Sequence, residues 1–206
     1  MVAALCGTAC RKSDSSAAYS SSGQYRWYGG CAGRPTSVEY EPVEAHIPKT
    51  FTTNNIDVYD YALITVNADL SNYEHFNLGS LYDLDASSLQ NANLYAMGAP
   101  QYVHGESNGI GDNGRLVYTG IGHIVDGPAN PNSDILYLDA DITPSDSGGP
   151  IFMQETYCIG IDVYRINTVV SICSGIHTNN NELYNMGPRF NSTILQFYRN
   201  NPNISY

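Results

Sequence analysis

What most limits how this chain can fold is a series of short apolar segments cut apart by turn-forming residues. Tyr61 to Val66, Asn93 to Met97, Arg115 to Val125, Ile135 to Leu138, Tyr157 to Val163 and Val169 to Ile176 are rich in Val, Ile, Leu and Tyr. Clusters of Gly, Pro, Asn and Asp separate them. β-branched and aromatic side chains suit a half-buried pleated surface, while Gly, Asn and Asp enter tight turns easily, so the pattern predicts antiparallel sheets or barrels. One helix is predicted, from about Ser192 to Arg199. There Ile194 and Tyr198 share a face with Leu195, and Asn191 or Ser192 can cap the first turn. Residues 11 to 24 are Ser-rich, and residues 104 to 114 hold four glycines with Asn and Asp, so both read as exposed loops. A change of unit near Met97 to Pro100 divides the 206 residues into 1–98 and 99–206.

Charge narrows the partners. With 9 Lys and Arg against 20 Asp and Glu the formal net charge is −11, and no basic cluster offsets it. Such a surface repels nucleic acid and anionic membranes. No stretch is long and apolar enough to span a bilayer, and the start Met-Val-Ala-Ala-Leu-Cys is not a secretion signal. Only 14% of residues are charged, and Tyr, Ser, Asn and Gly are plentiful, as in an extracellular β-protein. The five cysteines, Cys6, Cys10, Cys31, Cys158 and Cys173, form no C-x-x-C pair. Disulfides in an oxidising compartment therefore fit better than zinc, with Cys158 and Cys173 the preferred pair and one cysteine left over. Asn191-Ser-Thr193 and Asn203-Ile-Ser205 are possible glycosylation acceptors.

Chemistry concentrates in Asp141-Ile-Thr-Pro-Ser-Asp-Ser147-Gly-Gly-Pro150-Ile-Phe152, which presents one serine on a turn between two apolar segments. A serine hydroxyl is a weak nucleophile at neutral pH, so it needs a base within hydrogen-bond reach and donors for the oxyanion formed on the attacked carbonyl. The flanking glycines let the backbone turn sharply and expose N–H groups. The run resembles the G-D-S-G-G-P signature of the chymotrypsin-like serine peptidases. Asp60-Tyr61-Ala62-Leu63-Ile64 is similar to that family's D-x-A-L-I segment and precedes Ser147 by about ninety residues, in the family's order of His, Asp, Ser.

The resemblance implies an all-β fold of two antiparallel six-stranded Greek-key barrels with a short C-terminal helix. Ser147 would be the nucleophile, Asp60 the carboxylate that orients the base, and the N–H groups of Ser145 and Ser147 the oxyanion donors. The family's T-A-A-H-C block corresponds to Val2-Ala3-Ala4-Leu5-Cys6, so Leu5 stands at the histidine position and cannot accept a proton. His46 reads as a surface or packing residue in Ala45-His46-Ile47-Pro48, and His75, His104 and His123 as loop or strand residues beyond Asp60. Ser145 replaces the family's glycine two residues before the nucleophile, which strains the oxyanion donor there. Asp146 resembles the digestive-type enzymes.

Ser174-Gly-Ile-His177-Thr178-Asn179 and Asn185-Met-Gly-Pro-Arg189 resemble the I-H-T-N-G and N-x-G-x-R patterns of the glutamyl endopeptidase branch. That likeness implies substrate binding through His177 and Thr178 and cleavage after acidic residues, although Ile142 stands where that branch often has a hydroxyl. The chain begins too late for the first barrel's opening strands, so an incomplete N-terminal barrel is expected. The implied function is a secreted, monomeric serine endopeptidase acting on peptides or proteins without metal or cofactor, inactive as written because of Leu5. The alternative is a non-catalytic homologue that binds a peptide or protein partner.

Overall fold

A computed structural model describes residues 4–5, 27–29, 38–40, 42–54, 57–66, 76–83, 91–98, 118–125, 134–140, 147–179 and 181–200. These residues are mostly β-strand, as the alternation of apolar segments and turns requires. Strand β1 (Ala4–Leu5) pairs antiparallel with β5 (Leu63–Val66), whose other edge carries β4 (Pro42–His46). β2 (Trp27–Gly29) and β3 (Val38–Tyr40) form a separate hairpin ladder.

The largest sheet has the order β6 (Asn77–Leu78), β11 (Asp162–Ile172), β10 (Pro150–Ile159), β7 (Leu94–Gly98), β8 (Tyr118–Gly122). It draws strands from both sides of residue 98. A third sheet runs β12 (Gly175–Asn179), β13 (Glu182–Pro188), β9 (Ile135–Leu138).

Alternating side chains of β10 and β11 feed two cores. Ile151 and Val170 join Leu81, Leu94, Ala96, Leu136, Leu138, Ala140 and Cys173. Phe152 and Val169 join Tyr61, Leu63, Ile172, Phe190, Ile194 and Tyr198. This stretch of sheet is therefore apolar on both faces, which is why Ile151-Phe152 and Val169-Val170 read as continuous apolar pairs. A register shift between Ile151 and Phe152, with Val170 as the extra residue on β11, lets Val169 and Ile172 face the same core although three residues apart. Gly187 lies so close to Ile172 that a β-carbon there would sit 1.8 Å from the Ile172 carbonyl oxygen. Only glycine permits that approach.

The helix predicted at the C-terminal end is α2 (Ser192–Arg199), with the expected bounds. Asn191 caps it, its side-chain oxygen accepting from the Ile194 N–H at 3.1 Å. Ile194 and Tyr198 are buried, and the Tyr61 ring meets those of Phe197 and Tyr198 at centroid distances of 5.2 and 6.1 Å. The Asn191 amide also donates to Asp134 at 3.3 Å. Both ends of the side chain that a glycan would occupy are thus engaged.

Four expectations are corrected. Tyr157 to Val163 is not one strand but the tip of the β10–β11 hairpin, turning at Gly160, which has φ +64°. Val169 to Ile176 is broken at Cys173 and Ser174, where the chain passes from β11 to β12. A second helix, α1 (Lys49–Asn54), stands ahead of Asp60. Cys158 and Cys173 do not bridge: Cys158 pairs with Val163 near the hairpin tip, whereas Cys173 follows the base of β11. Ten residues of strand separate those levels by about 33 Å, against the roughly 6 Å between α-carbons that a disulfide spans. Cys6, Cys10, Cys31 and the Asn203 sequon lie outside the described residues.

Candidate active site

Asp60 stands at the entrance to β5. A 3-10 turn at Asp57–Tyr59 precedes it, and its N–H donates to the Asp57 carbonyl at 3.0 Å. Tyr61 and Leu63 anchor the next residues in the core under α2, which fixes the carboxylate at their flank. Asp60 is only 4% exposed, and a buried carboxylate requires hydrogen-bond donors. One is the Ser174 hydroxyl, which donates to Asp60 Oδ2 at 2.6 Å, the length of a charge-assisted O–H···O bond.

Ser147 is exposed and opens the turn that leads into β10. Gly148 has φ +88°, a conformation that favours glycine, so the Ser-Gly sequence fixes where the chain bends. The Gly148 N–H donates to the Cys173 carbonyl at 2.8 Å, and the Cys173 N–H donates to the Gly149 carbonyl at 2.9 Å. Cys173 therefore holds the serine turn while its neighbour Ser174 holds Asp60. Residues 60, 147–149 and 173–174, distant in sequence, form one hydrogen-bonded unit at the junction of β5, β10 and β12. Ser145 and Asp146, with the rest of the approach from Asp141, lie outside the described residues.

Leu63 is flanked on both edges of β5: Leu5 is its partner in β1 and His46 its partner in β4. The backbone at Leu5 thus belongs to the same small sheet that Asp60 introduces. His46 is partly buried, and its Nε2 sits 3.4 Å from Glu44 Oε2. His123 turns to Asp139, whose Oδ1 accepts from the His123 N–H at 2.5 Å and lies 4.0 Å from Nδ1. His75 and His104 lie outside the described residues.

In the β12–β13 ladder Ile176 is opposite Asn185, His177 opposite Tyr184, and Thr178 opposite Leu183. Directly opposed residues share a face. Ile176, Thr178, Leu183 and Asn185 therefore lie on one face, which continues across β9 to buried Leu138. His177 lies on the other, its ring 5.2 Å from that of Tyr137 in an edge-on contact. Burial, and after it the Asp57 carboxylate, raises the Tyr137 phenol above its ordinary value, so it remains a neutral hydroxyl near pH 7. Thr178 is exposed. The Asn185 amide donates to the Ala140 carbonyl, fixing the last described residue before the Asp141 approach to Ser147.

Sequence reasoning did not single out Ser174, Tyr137 or Asn185. Ser174 had one local signal, a hydroxyl directly after the apolar run Val169 to Cys173. Asn185 had one as the first residue of the N-x-G-x-R pattern, whereas Tyr137 had none, because its role depends on strands that meet only in the fold. Among the described residues, no group of three or more His, Cys, Asp or Glu is arranged to hold a metal ion.

The same architecture occurs in several solved structures. One is a Glu endopeptidase in complex with MPD, 16% identical, covering 97% of this chain and 81% of that chain at a TM-score of 0.68. The fold is that of the chymotrypsin-like serine proteases. Two further examples are the thermostable serine protease AL20 from an extremophilic microorganism and the protease Anisep from Arthrobacter nicotinovorans. Each is 16% identical and covers 85% of this chain and 73% of its own, with TM-scores of 0.59 and 0.58. No protein-family model and no curated protein matches the sequence. In this chymotrypsin-like chain, Asp60 and Ser147 stand on opposite sides of the link through Cys173 and Ser174.

Proposed function

We propose that this chain is a serine endopeptidase by construction, acting on peptides or proteins by acyl transfer through Ser147. The observation that carries this reading is the hydrogen-bonded link from the Ser147-Gly148 turn through Cys173 and Ser174 to the buried Asp60. In the reaction, Ser147 Oγ forms a bond to the substrate carbonyl carbon, the amide C–N bond breaks, and the Oγ proton ends on the leaving amine. Water then releases the acyl group. The N–H groups of Ser145 and Ser147 would stabilise the oxyanion, and Asp60 would orient the group that carries the proton.

That carrier is the weak point. The pairing of β1 with β5 supports the reading that Leu5 occupies the base position beside Asp60. Loss of the base in such a unit costs about a millionfold in turnover, roughly 8 kcal/mol of barrier. The chain as written then binds peptides and hydrolyses them very slowly. The same substitution, with Ser145 in place of glycine, favours a second reading, a non-catalytic homologue that retains the site to bind a peptide or protein. An extracellular location, a monomeric state, closed barrels and a division into two units near residue 98 belong to this proposal. No helix among the described residues is long and apolar enough to cross a membrane.

The test is reaction with a fluorophosphonate probe, read by intact mass on the native chain, Leu5→His and Leu5→His/Ser147→Ala. Labelling at Ser147 that appears or accelerates at least a thousandfold in Leu5→His, and is lost with Ser147→Ala, is expected. Rapid labelling of the native chain would overturn the reading of Leu5. A Leu5→His protein that folds but never labels would sink the acyl-transfer reading.

A further inference from the structure

Among the described residues, the edge of β12 next to the serine turn carries no strand. Gly148 and Gly149 pair with Cys173, but among the described residues β12 itself pairs only with β13. Beyond Cys173, every second N–H and C=O of Gly175–Asn179 therefore faces away from the sheet, a template for one more strand. The occupant argued for is the peptide that would be presented to Ser147, because the turn carrying Ser147 hydrogen-bonds to Cys173 at the head of this edge.

The face it would cover is apolar. Ser174 continues the β12 ladder, its N–H donating to the Met186 carbonyl at 2.9 Å, and its hydroxyl points to Asp60. By the alternation of a strand, Ile176 shares the side of Ser174, and His177 the opposite side. Ile176 is 51% exposed and Leu183, one diagonal step away on β13, is 68% exposed. Two large aliphatic side chains thus stand uncovered at the margin of a core face that ends at buried Asn185 and Leu138. Ser174 to Gly187 contains no Lys or Arg, its one acid is Glu182, and the whole chain is strongly acidic. Arg189, the next cation, is buried over the Tyr82 ring at 4.0 Å. A carboxylate brought to this face would be desolvated without a cationic partner.

We propose that Ile176 and Leu183 form a subsite, on the open edge of β12, that selects peptides with an aliphatic side chain over those with an acidic one. This rests on Ser147 being the acyl-transfer site, and it separates the chain's preference from the acidic one its I-H-T-N pattern suggests. An isobutyl group half covered by the shelf favours binding about tenfold over glycine, and a carboxylate gains nothing there.

The test is calorimetry of the full chain with blocked pentapeptides that differ at one residue, Leu, Glu or Gly, together with fluorophosphonate labelling of Leu5→His. The Leu peptide is expected to bind about tenfold tighter than the Gly or Glu peptide. Ile176→Ser and Leu183→Ser should each erode that ratio without lowering the thermal midpoint, since both side chains are exposed. His177→Ala should leave it in place. A tighter Glu peptide whose advantage disappears in His177→Ala overturns the subsite, as does a ratio unmoved in both serine variants or no binding by any peptide. If Ser147 still labels in Leu5→His, only the subsite has failed. If it does not, the acyl-transfer reading has failed as well.

Discussion

Ser174→Ala removes the hydroxyl that donates to Asp60 and leaves a carboxylate oxygen in a site that is 4% exposed without that donor. Hydrogen bonds to charged groups contribute about 1.5–3 kcal/mol, and water has little access to restore this one, so a loss of about 2 kcal/mol is expected. For a chain of this size that lowers the thermal midpoint by about 4–8 °C. Asp60→Asn should cost less, about 1 kcal/mol, because the amide oxygen still accepts from Ser174 as a neutral partner. The two changes share one bond and cannot add. Urea unfolding of the single and double variants should give a coupling of about 1–2 kcal/mol. Ser174→Thr keeps a hydroxyl and should fall between Ser174→Ala and the native chain. A midpoint for Ser174→Ala within about 1 °C of native, with additive single and double variants, would refute the claim that this bond organises the site.

Three other outcomes follow from the same geometry. Under native conditions iodoacetamide should modify exposed Cys158 and spare buried Cys173, and a non-reducing peptide map should contain no peptide joining the two. Asn191→Ala should destabilise the chain by about 1 kcal/mol in chemical unfolding, since it removes the cap of α2 together with the contact to Asp134. Burial, and secondarily the Tyr59 phenol, pushes Tyr61 up to about 12 from 10.0. The folded chain then holds a proton between pH 10 and 12 that the unfolded chain has released, so the neutral form's contribution is intact below pH 10 and fades as pH rises toward 12. Tyr61→Phe should flatten that decline, and an ultraviolet difference titration should show the missing phenol as a late-ionising one.

The limits of sequence reading show at particular residues. α2 was legible to the residue because its apolar spacing and its Asn191 cap are both local, and Ile135–Leu138 was legible because a short apolar run between turns has few alternatives. The hairpin tip at Gly160 was misread as strand because Tyr157 to Val163 is rich in Val, Ile and Tyr, yet Ile161 is 98% exposed. Apolar composition cannot tell a protruding tip from a core strand. The Cys158–Cys173 pairing failed for the related reason that proximity in sequence says nothing about position along a long hairpin.

For the site, the chain's own order of residues determined the candidate nucleophile. Ser147 is followed by glycines that let the chain turn, and at Gly148 the backbone takes a positive φ. Local chemistry likewise marked Asp60 as the start of an apolar strand. What joins them was decided only in three dimensions. Ser174 meets Asp60 across 114 residues, and Cys173 meets the serine turn, because β10 and β11 lie side by side and the chain then steps into β12. Whether Ser174 and Ile176, or instead His177, are turned to the side of Asp60 depended on strand register, since a shift of one residue exchanges the two faces of a strand. Torsional preference and apolar spacing act over a few residues and can be read along the chain, whereas register, edge and face exist only once strands have found their partners.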